Sequence, residues 1–397
     1  MSTSPSPHTD APFAPDQVRQ DAVVQPALTE RRPTSYTLII LGTLGIVVLA
    51  VVMLLVVVYL IAGLGVDAFL FAGVLALVPL VIVALGIRWI DRWDPEPRGV
   101  LVFSFLWGAG VAVLIALLVG AEVDNVVNSL GGPGPGYEFF GAAIQAPIVE
   151  ETGKGLGLLV LFWVVRKHFD GPVDGIVYAA TIAGGFAFTE NILYFGQAVL
   201  EANTFSDLYS IFLLRGLMSP FAHVMFTACI GIALGIAASR KRAHAGVGYF
   251  LLGLVPAIAL HALWNGSLFF VQNFFGYYAI VQLPLFIGAV FLVLYLRRAE
   301  SRIAHKHLMS YAAAGWFNPA EVGSLSTAPG RRTAMAWARK RGSSKIMKKY
   351  IRDATRLAFA RQRMIAGSGI AKAQADEAAL LASIVTSRKA LAGNSSV

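Results

Sequence analysis

The sequence predicts an all-α, polytopic membrane protein of about eight transmembrane helices, with both termini on the cytoplasmic side. Three observations carry this. Hydrophobic residues make up 56% of the 397 positions and charged residues only 14%, where soluble globular chains carry about 25%. Mean hydropathy is +0.66. Long uncharged runs, of which residues 36–63 are the first, exceed the ~20 residues a helix needs to cross a bilayer. Composition thus excludes a soluble enzyme or a periplasmic domain. It excludes a transmembrane β-barrel too, whose strands would alternate over ~10-residue segments instead of running apolar throughout.

Residues 1–35 are polar and rich in Pro, Ala and Thr. They read as a disordered cytoplasmic leader without a cleavable signal. The membrane domain, residues 36–296, then offers apolar stretches at 36–63, 68–90, 99–120, 139–165, 175–199, 217–239, 247–270 and 277–296. The positive-inside rule orients them. On one side lie Arg19, Arg31 and Arg32; Arg88, Arg92 and Arg98; Arg166 and Lys167; Arg240, Lys241 and Arg242; and the C-terminal tail. The other side shows only Arg215, within the amphipathic run Ser206–Leu217, where it reads as an interfacial snorkeler. Thirty basic residues against one put both termini in the cytoplasm.

The turn DRWDPEP at 91–97 stacks three acids beside two prolines and reads as a rigid, solvated connection. The loop 121–138 is acidic and Gly/Pro-rich, a turn-forming linker. Cys229 is the single cysteine and lies in an apolar run, so no intrachain disulfide is expected.

The tail, residues 297–397, holds 19 Lys/Arg against 5 Asp/Glu, while residues 1–296 hold 13 against 18. The basic character of the chain belongs to the tail. Asn318, Pro319 and Glu321 are a helix-start signal. Lys345, Lys348, Lys349, Arg352 and Arg356 fall on one helical face; Ile346, Met347, Tyr350, Ile351, Leu357 and Ala358 fall on the other. Such a helix is expected to lie on anionic lipid or to dock a partner. No nucleic-acid module accompanies it, and no nucleic-acid partner is expected.

An ionisable side chain at mid-bilayer costs at least ~2.5–3.5 kcal/mol on insertion scales, so each one calls for a reason. Glu150, Glu151, Lys154, Glu190, His223 and His261 all lie in the four consecutive spans between 139 and 270. At ~1.5 Å of rise per residue, Glu150 falls roughly 16 Å below the outer surface, and Glu190, His223 and His261 about 8–9 Å below it. Helices running in alternating directions therefore bring acids and imidazoles to a shared layer in the outer half of the membrane. Lys154 can neutralise Glu150 or Glu151, which precede it by four and three residues. Adjacent carboxylates point about 100° apart, so one can face a reaction while the other pairs. Asn191 and Tyr194 flank Glu190. His261 and Asn265 share a face. Phe186, Phe188, Tyr194 and Trp264 read as helix packing.

These residue types suit peptide hydrolysis, which needs an activated water, a general base and donors for the oxyanion. His and Glu are also metal ligands. The same residues suit a proton- or ion-coupled transporter, or a non-enzymatic scaffold whose polar cluster only ties helices together. A shortened substrate would separate the first reading from the other two.

Four segments in order, EETGK at 150–154, GFAFTENILYF at 185–195, His223 with Phe226 and Gly231, and HALWN at 261–265, resemble the motifs of the PrsW family of intramembrane proteases. The turn DRWDPEP followed by FSFLWGA at 103–109 is similar to that family's upstream segment. The resemblance covers roughly residues 88–270 and does not extend to the leader or the tail. It implies a multi-pass peptidase of a bacterial-type cytoplasmic membrane. That class is grouped with metallopeptidases and related to the CAAX prenyl-protease-like superfamily, and its founding role is cleavage of a membrane-anchored anti-sigma factor. A membrane-anchored, single-span regulatory protein is the substrate class this implies.

Carried over by motif, Glu150 and Glu151 are the paired catalytic glutamates. His223 and His261 are the third- and fourth-motif histidines, Asn265 closes the fourth motif, and Lys154 and Asn191 support. Glu190 stands where the wider superfamily usually has His, which speaks against a CAAX substrate. Two mechanisms remain open. Either Glu190, His223 and His261 hold a divalent metal such as zinc with Glu150 as base, or no metal binds. In the second case Glu150 with His223 activates water while His261 and Asn265 stabilise the oxyanion.

Overall fold

In a computed structural model, the protein is described over residues 36–92, 94–166, 169, 171–201, 204–239, 246–365 and 370–393. The leader, Lys167 and the basic cluster 240–242 lie outside the described residues. About nine-tenths of the structure is helical, with no strand among the described residues. Residues 34–296 form one compact unit, and residues 297–397 belong to a second.

The membrane unit begins with α1 (Tyr36–Leu64) and α2 (Val66–Ile90), separated by Gly65 at φ 78°, a left-handed conformation that favours glycine. Helix α3 (Arg98–Ser129) and helix α4 (residues 137–164) follow, and each carries a π-helical segment, at Trp107–Ala112 and Gly141–Gln145. Then come α5 (Pro172–Glu201), the shorter α6 (residues 205–218, π-helical over Leu213–Met218), α7 (Ala222–Ser239), α8 (Gly246–Phe270) and α9 (Phe274–Ala313).

Seven helical segments among the described residues are long and apolar enough to cross a membrane. The eighth expected span, α4, falls outside that set for a physical reason: every 18-residue stretch of it contains Glu150, Glu151 and Lys154. The helix that departs from membrane composition is the one bearing three of the six intramembrane ionisable groups.

Helix α5 is central: 72% of its most apolar window is buried, against 17% for α1. Close backbone approach makes this possible. A Cβ added to Gly175 on α5 would lie 2.0 Å from the Gly231 carbonyl oxygen of α7, and one on Gly231 would lie 2.2 Å from the Gly175 oxygen. Small residues at such crossings let membrane helices touch backbone to backbone. Thr189 Oγ1 of α5 donates to the Ala109 carbonyl of α3 at 3.0 Å, and Trp107 Nε1 of α3 donates to the Gly153 carbonyl of α4 at 3.0 Å. These ties fix α3, α4, α5 and α7 around the ionisable residues.

The acidic turn after α2 is not the solvated connection its composition suggests. Glu96 is buried and accepts a hydrogen bond from Tyr178 O–H of α5. It also shares a hydrogen bond with Asp174, and its backbone N–H donates to Asp91 Oδ1 at 3.0 Å. Burial, helped by Asp94 and Asp91 and opposed by the Tyr178 hydrogen bond, pushes the Glu96 carboxyl up to about 8. Burial pushes Asp91 up to about 6. Raised folded-state values mean that the fold favours the protonated forms. The stability they contribute is present below about pH 4 and is lost as pH rises through about 6 and then about 8. Thermal unfolding midpoints should therefore fall by a few degrees between about pH 5 and pH 9. Glu96→Gln, which keeps an acceptor for Tyr178, should flatten the upper part of that decline.

The tail unit contains α10 (Pro319–Ser326), α11 (Ala328–Lys340), α12 (Ser344–Ile365) and α13 (Ile370–Gly393). Asn318 caps α10, with Glu321 closing a capping box and Pro319 at the first turn. Helix α12 is amphipathic as expected, but its apolar face has a different partner. Met347, Tyr350, Ile351, Leu357 and Ala358 are buried in the tail's own core, and Glu321 is bonded by Tyr350 O–H and by Arg388 at 3.1 Å. Periodicity told which residues leave water, not whether lipid or protein receives them. Lys345, Lys348 and Lys349 remain exposed.

Candidate active site

The four helices α4, α5, α7 and α8 bring Glu150, Glu151, Lys154, Glu190, His223 and His261 into one connected cluster. At its centre the Lys154 ammonium, fully buried, lies 2.6 Å from Glu151 Oε1, 3.2 Å from His223 Nδ1 and 3.5 Å from Glu150 Oε2. It also sits 4.2 Å from the centre of the Phe186 ring, so this aromatic supports a cation and is more than helix packing.

The two adjacent glutamates divide their roles as helical geometry requires. Glu151 points inward and is saturated: Lys154 and His261 Nδ1 (3.0 Å) meet its Oε1, and Thr227 Oγ1 donates to its Oε2 at 2.8 Å. Glu150 instead lines a cavity of about 450 Å³. That cavity is also lined by Glu190, His223, His261 and Asn265, and its walls are mainly apolar. Phe188, Tyr194 and Trp264, expected to pack, face it as well.

The partners assign the imidazole tautomers. Glu151 can only accept from His261, so His261 carries its proton on Nδ1 and turns the bare Nε2 toward Glu150, 3.9 Å from Oε2. Lys154 can only donate to His223 Nδ1, so His223 carries its proton on Nε2 and gives it to Glu190 Oε2 at 2.9 Å. Each histidine thus donates one N–H to a carboxylate and turns its other nitrogen into the cluster. The two rings stand nearly perpendicular, 5.1 Å apart, and Phe226 stacks on His261 at 5.0 Å.

Several placements differ from expectation. Glu190 is bound on the same oxygen by His223 and by Arg215 Nη2 at 2.7 Å, and it does not join the donor group. Among the described residues, the donors lying within 4.8 Å of one another are those of Glu150, His223 and His261. Arg215 does not snorkel to the interface: its head turns into the cluster. Asn191 accepts from Arg215 Nε at 3.2 Å. Asn265 lines the cavity and donates to the Ala142 carbonyl at 2.9 Å. Arg215 and Thr227 are the two members that sequence reasoning missed. A signal existed for the first, as the sole basic residue on its side of the membrane; Thr227 gives none.

A carboxylate and two imidazoles that each donate their outer N–H to another carboxylate are the donor chemistry of a divalent-metal site. The residues present fit such an ion provided that the Lys154 ammonium, which donates to His223 Nδ1 at 3.2 Å, gives up that nitrogen.

The sequence profile of the PrsW family intramembrane metalloproteases matches residues 96–289. Protease PrsW of Clostridioides difficile is 29% identical over 194 residues, covering 48% of this chain and 76% of that relative. Protease PrsW of Geobacillus kaustophilus is 30% identical over 195 residues, covering 47% of this chain and 75% of its own. The Bacillus subtilis protease PrsW is 29% identical over 188 residues, with 47% and 78% covered. No solved structure matches the chain. A multi-pass helical membrane protein with these relatives is an intramembrane protease. The chain belongs to the PrsW family.

Proposed function

We propose that the protein is an intramembrane endopeptidase that hydrolyses a peptide bond of a membrane-anchored, single-span regulatory protein, with Glu150 activating the attacking water. The observation that carries this is the convergence of Glu150, His223 and His261 within 4.8 Å at a cavity with apolar walls. Such a cavity suits an unwound stretch of a substrate helix.

Glu190 and Glu151 are each held by two or more donors. Glu150 is met at longer range, by Lys154 at 3.5 Å and His261 Nε2 at 3.9 Å, which supports it as the group that takes the proton of water and returns it to the leaving amine. His261 presents a lone pair to the cluster and not a proton. This favours His261 as a ligand or acceptor over an oxyanion donor, and leaves that donor role to Asn265 Nδ2, which lines the cavity. The residues that would hold a divalent ion, zinc among the candidates, are Glu150, His223 and His261. When bound, such an ion supplies Lewis acidity toward the scissile carbonyl and the water. The positive-inside count supports cytoplasmic termini, and helical rise counted from the span ends supports a cluster in the outer half of the bilayer.

Purified protein in vesicles with a single-span reporter tests the reading. A shortened reporter on a gel is expected. A transporter or a scaffold would leave the reporter whole. Chelation followed by zinc should restore cleavage in the wild type and not in His261→Ala; cleavage that survives thorough chelation would favour the metal-free route.

A further inference from the structure

We infer that Arg215 is a positioning residue for the site: it anchors Glu190, which in turn holds His223 in a single tautomer with Nδ1 turned into the cluster. The inference rests on the proposed activity for its kinetic arm only.

Arg215 sits in the π-helical end of α6, where the wider winding alters which side chains share a face. Its guanidinium meets three residues of α5 at once. Nη2 donates to Glu190 Oε2 at 2.7 Å, Nε donates to Asn191 Oδ1 at 3.2 Å, and Cζ lies 3.8 Å from the centre of the Tyr194 ring. Positions 190, 191 and 194 lie along one side of that helix within little more than a turn, and the planar fork of an arginine can engage all three where a lysine cannot.

The decisive contact is the shared oxygen. Glu190 Oε2 accepts from both Arg215 Nη2 and His223 Nε2, so the guanidinium anchors the oxygen that receives the imidazole proton, while Lys154 at Nδ1 favours the same tautomer from the other side of the ring. With Nε2–H committed to Glu190, Nδ1 is left bare and faces Lys154 at 3.2 Å. Without an anchored Glu190, only the Lys154 contact at Nδ1 would hold this tautomer, and the ring could swing away from it and exchange its proton between the two nitrogens. A snorkeling arginine would have turned its head outward to water. Here the Arg215 side chain is 26% exposed and the Glu190 side chain 14%. A merely structural tie between α6 and α5 would explain the ion pair, but would leave the tautomer of His223 indifferent to Arg215.

The test uses full-length protein with 15N-labelled histidine, the His223 resonances being those that vanish in His223→Gln. The wild type should show the Nε2–H tautomer. Arg215→Gln is expected to give mixed tautomers and to lower kcat on the single-span reporter by about 10–100-fold, the usual cost of losing an outer-shell partner, with KM changed less than about 2-fold. Arg215→Lys, which keeps the charge at Glu190, should restore the wild-type tautomer. In Glu190→Gln, adding Arg215→Gln should cost nothing further, because the two act in series. An Arg215→Gln protein that retains the pure Nε2–H tautomer overturns the inference, and so does a lysine variant that behaves like the glutamine one. The tautomer is read without substrate, so a wild type that cleaves nothing would refute the proposed activity and leave this test standing.

Discussion

Glu150→Gln is expected to abolish reporter cleavage, lowering kcat by about 10²–10⁴-fold, the range a positioned general base contributes. The amide keeps the shape of the side chain and an acceptor for Lys154, whose contact here is the long one at 3.5 Å. It removes the basic oxygen that faces the cavity. The thermal unfolding midpoint should change little, because the buried partner of Lys154 is Glu151 at 2.6 Å. Kinetics and unfolding measured on the same preparation check both halves. Unchanged cleavage in a folded Glu150→Gln protein would remove Glu150 from the chemistry.

Lys154→Met is expected to cost about 3–5 kcal/mol of stability, the usual penalty for stripping one partner from a buried ion pair. Glu151 is fully buried and would keep only His261 and Thr227 as donors. Lys154 also holds His223 Nδ1, so activity should fall along with stability. Combining Lys154→Met with Glu151→Gln should recover much of the stability, since the amide needs no counter-charge while still accepting from His261. Unfolding midpoints of the wild type, both single variants and the double variant decide this. A double variant no more stable than Lys154→Met alone would show that the ion pair is not what Lys154 provides.

The spans were legible because uncharged runs of bilayer length have few alternative explanations in a folded chain. The cluster was legible for the opposite reason: Glu150, Glu151, Lys154, Glu190, His223 and His261 are in oil where nothing but pairing or chemistry keeps them. Helical rise was enough to put them in one layer. It could not assign partners within that layer. Glu190 read as a ligand because depth alone does not reveal that α6 delivers Arg215 to it. The amphipathic run around Arg215 suggested an interfacial helix, and a π-helical turn that redirects one side chain leaves no periodic trace. The turn 91–97 misled in the same way: acids beside prolines look solvated, but Tyr178 and Asp174 of α5 wait for Glu96. In the tail, the two faces of α12 were correctly divided, and the identity of the apolar partner was the part that sequence periodicity does not encode.

Mapping the cut site tests the central claim most directly. Wild-type protein and a single-span reporter in vesicles, with fragments read by mass spectrometry, should give one new pair of ends inside the reporter's membrane-spanning segment, in its outer half. Both ends should be missing with Glu150→Gln. A reporter left whole by folded wild-type protein, or cut only in its water-exposed segments, would contradict an acid–imidazole cluster that splits peptide bonds within the membrane.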